Sequence, residues 1–442
     1  QFAENPRLAI LRCETVGETE PYFVETVADE LISNLARLDG LDVIARSSSF
    51  TLEGDRATPR GAALELNVNL VLTGSVRRIG DSVRVVAQLI EAPSGRQLWT
   101  AEFERPLSEI YLLQNEIAAR VATAVGLRAL QPAARRVDTQ AYDLYLRGRE
   151  SFAGDPNAAA ALFERAIARE PDFAAAWAQL ARARMFIASE RWRNSPPGVE
   201  LDPTWQAPGF EAAARAISLD PASSVPYQTK SVAFSLTGRW REALAAANDA
   251  TTRGGQSIAI YQMLGYLQRA AQSSHHITES DPLNAIAWSQ LAEVCEARGD
   301  SECSIIASQR AIRLGLEGEA TFLAIVLHRA GRTAAARNIV TVHERSIREA
   351  LDTPHSVPFD YSMLRAMLGQ GEVPPTAELL GSLHRGGYVD NLISIFIGSN
   401  RAADAHELLQ YWTPASRPSL RYLFHYTLAP MRARPEFCDL ME

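Results

Sequence analysis

Beyond residue 140 the chain turns alanine-rich and is punctuated by Glu170-Pro171, Asp220-Pro221 and Asp281-Pro282, each followed by a new helical pattern. Proline ends a helix because it lacks the N–H and clashes with the preceding turn, so each pair marks the close of one helical unit. In the clearest copy Ala159, Phe163 and Ala166 step by four and three residues ahead of Pro171, which puts them on one helical face. Trp177 and Leu180 then open the next unit. Later copies read Tyr227 with Gly238 and Ala243, Tyr261-Leu264-Gly265, and Trp288-Leu291 with Gly299 and Ala311. Units of this kind cannot bury an apolar face alone, which constrains the region to a stack of helical hairpins. Small residues let the paired helices approach while an aromatic fills each gap, so Trp177, Tyr227, Tyr261 and Trp288 are predicted packing residues.

The closing prolines lie 50 and 61 residues apart, against about 34 for one regular unit. The first interval leaves room for an insertion at about 190–208, which carries Trp192, Pro196, Pro197, Trp205 and Pro208. The second fits two units with one shortened helix, placed in the cramped stretch Gln268 to Ser280. A divergent pair is predicted from Ala320 to Ile347 around Gly331, and 351–442 reads as degenerate helical repeats with a closing segment.

The first 130 residues follow another grammar. Leu8 to Leu11 reads as a buried strand, Tyr22 to Leu38 as a helix ended by Gly40, Asp42 to Ala45 as a second strand, and Pro59 to Leu66 as a short helix. Three strands follow, Asn69 to Arg78, Ser82 to Glu91 and Arg96 to Glu104, separated by Gly80-Asp81 and Pro93-Ser94-Gly95 turns. In the middle strand Val83, Val85, Ala87 and Leu89 alternate with Arg84, Val86, Gln88 and Ile90, predicting one inward face. A helix from Ser108 to Leu130 completes a βαβαβββα order. The seryl run Arg46-Ser47-Ser48-Ser49 reads as a turn whose hydroxyls cap its own backbone, the alternative being a polar ligand site.

The runs Arg7 to Leu11, Asp29 to Ile32, Leu41 to Phe50, Val71 to Arg78 and Val83 to Ile90 resemble the TolB-like amino-terminal domain of bacterial regulators, with Leu11-Arg12-Cys13 where that family usually carries Leu-Pro-Phe. The departure bears on the exit from the first strand. The later repeats resemble the tetratricopeptide (TPR) type, and Leu428 to Phe437 resembles the closing segment of TolB-like/TPR regulators. The expected fold is a small α/β mixed-sheet domain (1–130) followed by an all-α TPR-like superhelical solenoid (139–350 and 351–442). The resemblance implies a region lying downstream of a winged helix, as in CadC-type transcriptional regulators, or of a nucleotide-cyclase domain, with a transmembrane anchor between. On that reading Gln1 lies just beyond the anchor and the chain is periplasmic.

Little in the chain points to catalysis. No nucleotide-binding glycine loop, HExxH or GxSxG is present, and adjacent His275-His276 point about 100° apart on a helix, predicting a solvated pair rather than a metal clamp. No cofactor is expected. A formal net charge of −8 without a Lys/Arg tract argues against direct nucleic-acid binding, and no apolar run reaches the length of a membrane span. Four cysteines form no CxxC pair. Cys295 and Cys303, at the end of one predicted helix and the start of the next, can be a disulfide or two buried thiols.

What remains is surface. Counting from the repeat register places Arg182, Met185, Phe186, Gln228, Gln262, Tyr266, Arg269, Ser289, Glu293 and Glu296 on the concave first-helix face, where such arrays hold a peptide or protein. Trp192 and Trp205 either form a docking edge or fold back to fill the groove. The expected function is a non-catalytic sensor or interaction region that binds a protein or peptide partner, a small ligand or a second copy of the chain. The alternative is a constitutive assembly scaffold that senses nothing.

Overall fold

A computed structural model describes residues 6–17, 20–127, 136–193, 206–237, 239–351 and 361–371. The described residues divide into two compact units. The first holds those up to 257 together with 280–283, and the second holds the rest. The division falls inside the helical stretch, although the change from mixed α/β to all-α lies near residue 130.

The first unit begins with β1 (Arg7–Ile10), β2 (Glu14–Thr15), α1 (Pro21–Leu35), β3 (Asp42–Val43), α2 (Arg46–Ser49) and α3 (Pro59–Leu66). It continues with β4 (Leu70–Ile79), β5 (Ser82–Glu91), β6 (Arg96–Pro106) and α4 (Ile110–Ala124). The sheet order is β3-β1-β4-β5-β6; β1 runs parallel to β3 and β4, and β4, β5 and β6 form an antiparallel meander. Strand alternation sends Leu8, Ile10, Leu70 and Leu72 into a core shared with α1 and α4, while Ala9, Leu11 and Val71 turn to the opposite face against Ala62 and Leu66 of α3. In β5 the buried residues are Val83, Val85, Ala87 and Leu89, the alternation read from the sequence. Thr58 caps α3 by accepting from the Gly61 N–H at 3.1 Å, Pro59 fixes its first turn, and Asn67 ends it in the left-handed region.

The first strand exits in two steps. Leu11 still donates to the Leu72 carbonyl at 3.0 Å, the chain then leaves the ladder over Arg12 and Cys13, and Glu14 and Thr15 rejoin β4 opposite Ser75 and Val76.

Helical hairpins occupy the rest of this unit: α5 (Thr139–Ser151) with α6 (Pro156–Arg169), α7 (Ala174–Arg193) with α8 (Ala207–Leu219), and α9 (Val225–Leu236) with α10 (Trp240–Thr251). Asp138 and Asp155 cap the first two helices through carboxylates that accept backbone N–H bonds. The repeat residues pack as small-and-aromatic seams. Ala159, Phe163 and Ala166 are fully buried, and a β-carbon on Gly148 would lie 2.5 Å from the Phe163 ring, so glycine there is what lets α5 lie on α6. One apolar core runs on from the sheet through Val121, Tyr142, Phe163 and Leu180 to Ala213.

The second unit comprises α11 (Ile258–Met263), α12 (Leu267–Ser280), α13 (Ala285–Ala297), α14 (Ser301–Arg313), α15 (Ala320–Arg329), α16 (Thr333–Val342), α17 (Glu344–Leu351) and α18 (Tyr361–Met367). The shortened helix of the long proline interval is α11, six residues long, and the stretch Gln268 to Ser280 forms most of the full-length α12. Asn284 and Asp300 cap α13 and α14 with their side chains, and the pair around Gly331 falls on α15 and α16. Residues 372–442, and with them the closing segment, lie outside the described residues.

Candidate interaction surfaces

Several charged and hydroxyl side chains that a surface reading leaves free are spent inside the fold. The Arg46-Ser47-Ser48-Ser49 turn does not cap itself through Ser47 and Ser48. Their hydroxyls donate to the two oxygens of Asp281 at 2.5 and 2.6 Å, and the Ser48 hydroxyl also accepts from the Leu283 N–H at 2.8 Å. Asp281 is buried, and its carboxylate joins residues 280–283 to the α/β part of the first unit. The turn is therefore structural, and its partner lies more than two hundred residues away in sequence.

A second joint links α1 to α5. Glu30 accepts from the Gln114 amide at 2.8 Å and the Tyr142 hydroxyl at 2.9 Å, and Arg149 ion-pairs with neighbouring Asp29. Burial pushes the Glu30 carboxyl up; the Arg149 charge and the two hydrogen bonds offset part of that. The Tyr145 hydroxyl is also pushed up, again chiefly by burial. Tyr111, Tyr142, Tyr145, Phe163 and Phe173 stack around this joint with centroid separations of 5.0 to 6.4 Å.

Beside the joint lies an exposed part of the predicted face. Phe186 is 41% exposed and meets Phe152 edge-on at 5.8 Å, and the exposed Arg182 guanidinium sits over the Phe152 ring at 4.7 Å. Arg182 has no carboxylate partner among the described residues, and partial burial together with the Arg149 charge pulls its pKa down. Met185, one residue before Phe186, is buried and packs against Gly209. Phe152 escaped the sequence reading because it follows α5, outside the helical register used to assign the face. On the same unit Gln228 donates to the Gln256 carbonyl at 3.0 Å, a contact within the fold.

Another face of the unit holds an open groove of about 530 Å³ lined by Glu164, Ile167, Ala168, Trp177, Leu180, Arg184, Glu211 and Arg215. Arg184 pairs with Glu164 and Arg215 with Asp172, and Trp177 donates to the Pro171 carbonyl at 2.8 Å, which leaves the groove's cations and its indole engaged.

In the second unit Tyr266 is exposed, with Arg269 over its ring at 5.7 Å, and the amide nitrogen of Gln262 is enclosed without a hydrogen-bond partner among the described residues. Glu293 is half-buried. Ser289 and Glu296 turn inward. Ser289 donates to Glu319, and Glu296, 3% exposed, pairs with Arg329 at 3.2 Å. These two belong to a polar seam of α13, α14 and α15 because a carboxylate that close to the core requires paired donors. Cys295 and Cys303 are disulfide-bonded across the α13–α14 turn, with Cα atoms 5.8 Å apart. His275 of α12 reaches the same place. Trp205 and the Trp192 side chain lie outside the described residues.

Glu319 yields a prediction of pH dependence. Burial raises its pKa above the ordinary 4.5, and the hydroxyls of Ser289 and Ser308, donating at 2.7 and 2.8 Å, offset this in part. The folded chain thus holds this proton more tightly than the unfolded chain. The stabilisation is complete below about pH 4.5 and is lost as pH rises through the folded value. Glu319→Gln should therefore raise the melting temperature at pH 7 while leaving it nearly unchanged at pH 4, read by differential scanning calorimetry. A wild-type-like profile in the variant would mean that the carboxyl is hydrated.

No protein-family model matches the chain. A curated relative, "Putative adenylate cyclase 3" of Rhizobium meliloti, is 31% identical over 255 residues, which cover 55% of this chain and 42% of the relative. The chain thus matches well under two thirds of that protein's length. Among solved structures, the human IFIT1 dimer with PPP-AAAA aligns over 70% of this chain and 78% of its own, at 12% identity and a TM-score of 0.42. A tetratricopeptide repeat protein from Parabacteroides merdae aligns over 65% of this chain and 99% of its own, at 13% identity and 0.34. A thermophilic TPR protein of Thermus thermophilus aligns over 52% and 97%, at 20% identity and 0.25.

Proposed function

We propose that the chain is a non-catalytic sensor and interaction region of a larger, membrane-anchored bacterial regulator, and that it binds a protein or peptide through the Phe152/Arg182/Phe186 patch. The observation that carries this reading is the patch itself. An arginine stacked on one aromatic, beside a second that is exposed, and lacking a carboxylate partner among the described residues, has the composition of an interaction hot spot. Its free cation favours an acidic segment of the partner.

The TolB-like sequence runs of the first domain and the likeness to part of a protein named as an adenylate cyclase support placing this region beside a cyclase or DNA-binding output domain. On this reading the chain is periplasmic and tethered upstream of Gln1, and any catalysis belongs to the output domain. The stimulus acts by favouring one of two states of the full-length regulator, which requires unequal affinities for the two.

Arg182→Glu together with Phe186→Ala, made in the full-length protein, should reduce recovery of the crosslinked partner by roughly thirty-fold, the equivalent of one strong hot spot, and shift output with it. Melting of the variant should match wild type, since neither side chain is part of the buried core. Undiminished partner recovery from a folded variant would remove the patch as the site. Recovery that depends on the patch, with output indifferent to it, would leave the constitutive scaffold as the better account.

A further inference from the structure

We propose that Cys295, Cys303 and His275 form a binding site for a thiophilic d¹⁰ cation, with Zn²⁺ as the type, which is available when the Cys295–Cys303 bond is reduced. The three residues come from three consecutive helices, α12, α13 and the first turn of α14, and their ligand atoms all lie within 4.8 Å of one another. Tetrahedral zinc with Zn–S near 2.3 Å and Zn–N near 2.0 Å needs ligand atoms about 3.5 to 3.8 Å apart, a spacing that fits inside that limit. Rotation about χ1 of either cysteine separates the sulfurs without moving helices whose Cα atoms are 5.8 Å apart.

The donor set is soft, two thiolates and an imidazole, which selects zinc or cuprous ion over magnesium or calcium. Burial differs usefully across it. Cys295 is buried, Cys303 half-buried and His275 exposed, so the cation enters from the histidine side and keeps one position for water or an outside ligand. His276 points away from the cluster by helical geometry and cannot supply that fourth ligand.

Disulfide and metal site exclude each other because they use the same sulfurs. A dithiol donor supplies two electrons and two protons, closing to its own disulfide while Cys295 and Cys303 become thiols. Zinc binding then displaces both thiol protons to solvent, so affinity rises with pH. The site is independent of the Phe152/Arg182/Phe186 patch and of the function proposed for it.

The test titrates Zn²⁺ into the full chain after reduction by a phosphine and its removal, with Co²⁺ as the spectroscopic probe. The reduced chain should bind one equivalent and show sulfur-to-cobalt charge-transfer absorption, and the oxidised chain neither. His275→Ala keeps the disulfide, so its oxidised form should melt like wild type, yet its reduced form should bind zinc at least about tenfold more weakly. Cys303→Ser should abolish the charge-transfer band, with Cys13 and Cys438 present throughout. Equal zinc affinity in reduced wild type and His275→Ala would overturn the proposal, including the case in which reduction unfolds the unit and stray thiols bind the ion. Undiminished binding by the oxidised chain would overturn it too.

Discussion

Gly74→Ala should cost at least about 3 kcal/mol, a large fraction of the stability of an ordinary domain. Gly74 sits in β4 opposite Ala87, between the stretch that pairs with β1 and the stretch that pairs with β2. A β-carbon there would lie 1.8 Å from the Val86 carbonyl oxygen and 2.9 Å from its carbon. Backbone cannot turn aside as a side chain can, so β4 and β5 would have to part by more than an ångström in the middle of a ten-residue ladder. Gly80→Ala is the control. That glycine has φ +56° with nothing near its absent β-carbon, and only the left-handed conformation penalises alanine, at about 1 to 2 kcal/mol. Urea denaturation should place the two variants well apart. Equal losses would mean that the strands yield at Gly74 and that the close approach is not a constraint.

The same residue shows where sequence reading reaches its limit. Thr73-Gly74-Ser75 sits in a run that reads as a strand, and β4, β5 and α3 follow their sequence boundaries within a residue or so, because each is set by local chemistry: Gly80-Asp81 for the turn, Thr58-Pro59 for the helix start. What Gly74 avoids is a carbonyl twelve residues on, and alternation carries no trace of it. Asp281 is the extreme case. As an acidic residue before proline it reads as helix punctuation, which holds, but its carboxylate also holds Ser47 and Ser48, a pairing that no local pattern encodes.

The candidate face divides on the same ground. Helical register places Arg182 and Phe186 outward, yet it also places Glu296 and Ser289 there, and these turn in because Arg329 and Glu319 on other helices supply partners. His275 is exposed, as its sequence suggests, but its approach to Cys295 and Cys303, twenty and twenty-eight residues away on two other helices, leaves no mark on its own helix. Register fixes an angle about one helix axis, whereas inward or outward orientation depends on neighbours contributed by the next hairpin.

Arg149→Met should destabilise the first unit by about 3 kcal/mol, with the loss growing as pH rises. Arg149 ion-pairs with Asp29, stands beside the Glu30 carboxyl, and lies over the Tyr145 ring at 5.9 Å. Removing one member of a buried pair costs about 3 to 5 kcal/mol, and the low end applies because the side chains of Arg149 and Asp29 remain 22% and 24% exposed. Without this cation the Glu30 carboxyl is pushed further up, so the folded chain holds the proton across a wider window. Below the ordinary 4.5 both states are protonated and that part of the penalty vanishes; above it the penalty grows until pH passes the folded value. Adding Asp29→Leu to Arg149→Met should recover part of the loss, since a pair replaced by apolar groups leaves less charge to desolvate. Recovery is the decisive reading, because a helix α5 that merely lost packing on Tyr145 would gain nothing from the second change. If it occurs, the charge pair is what fixes α5 on α1, and the first helical hairpin and the α/β sheet move as one body when anything binds beside Phe152.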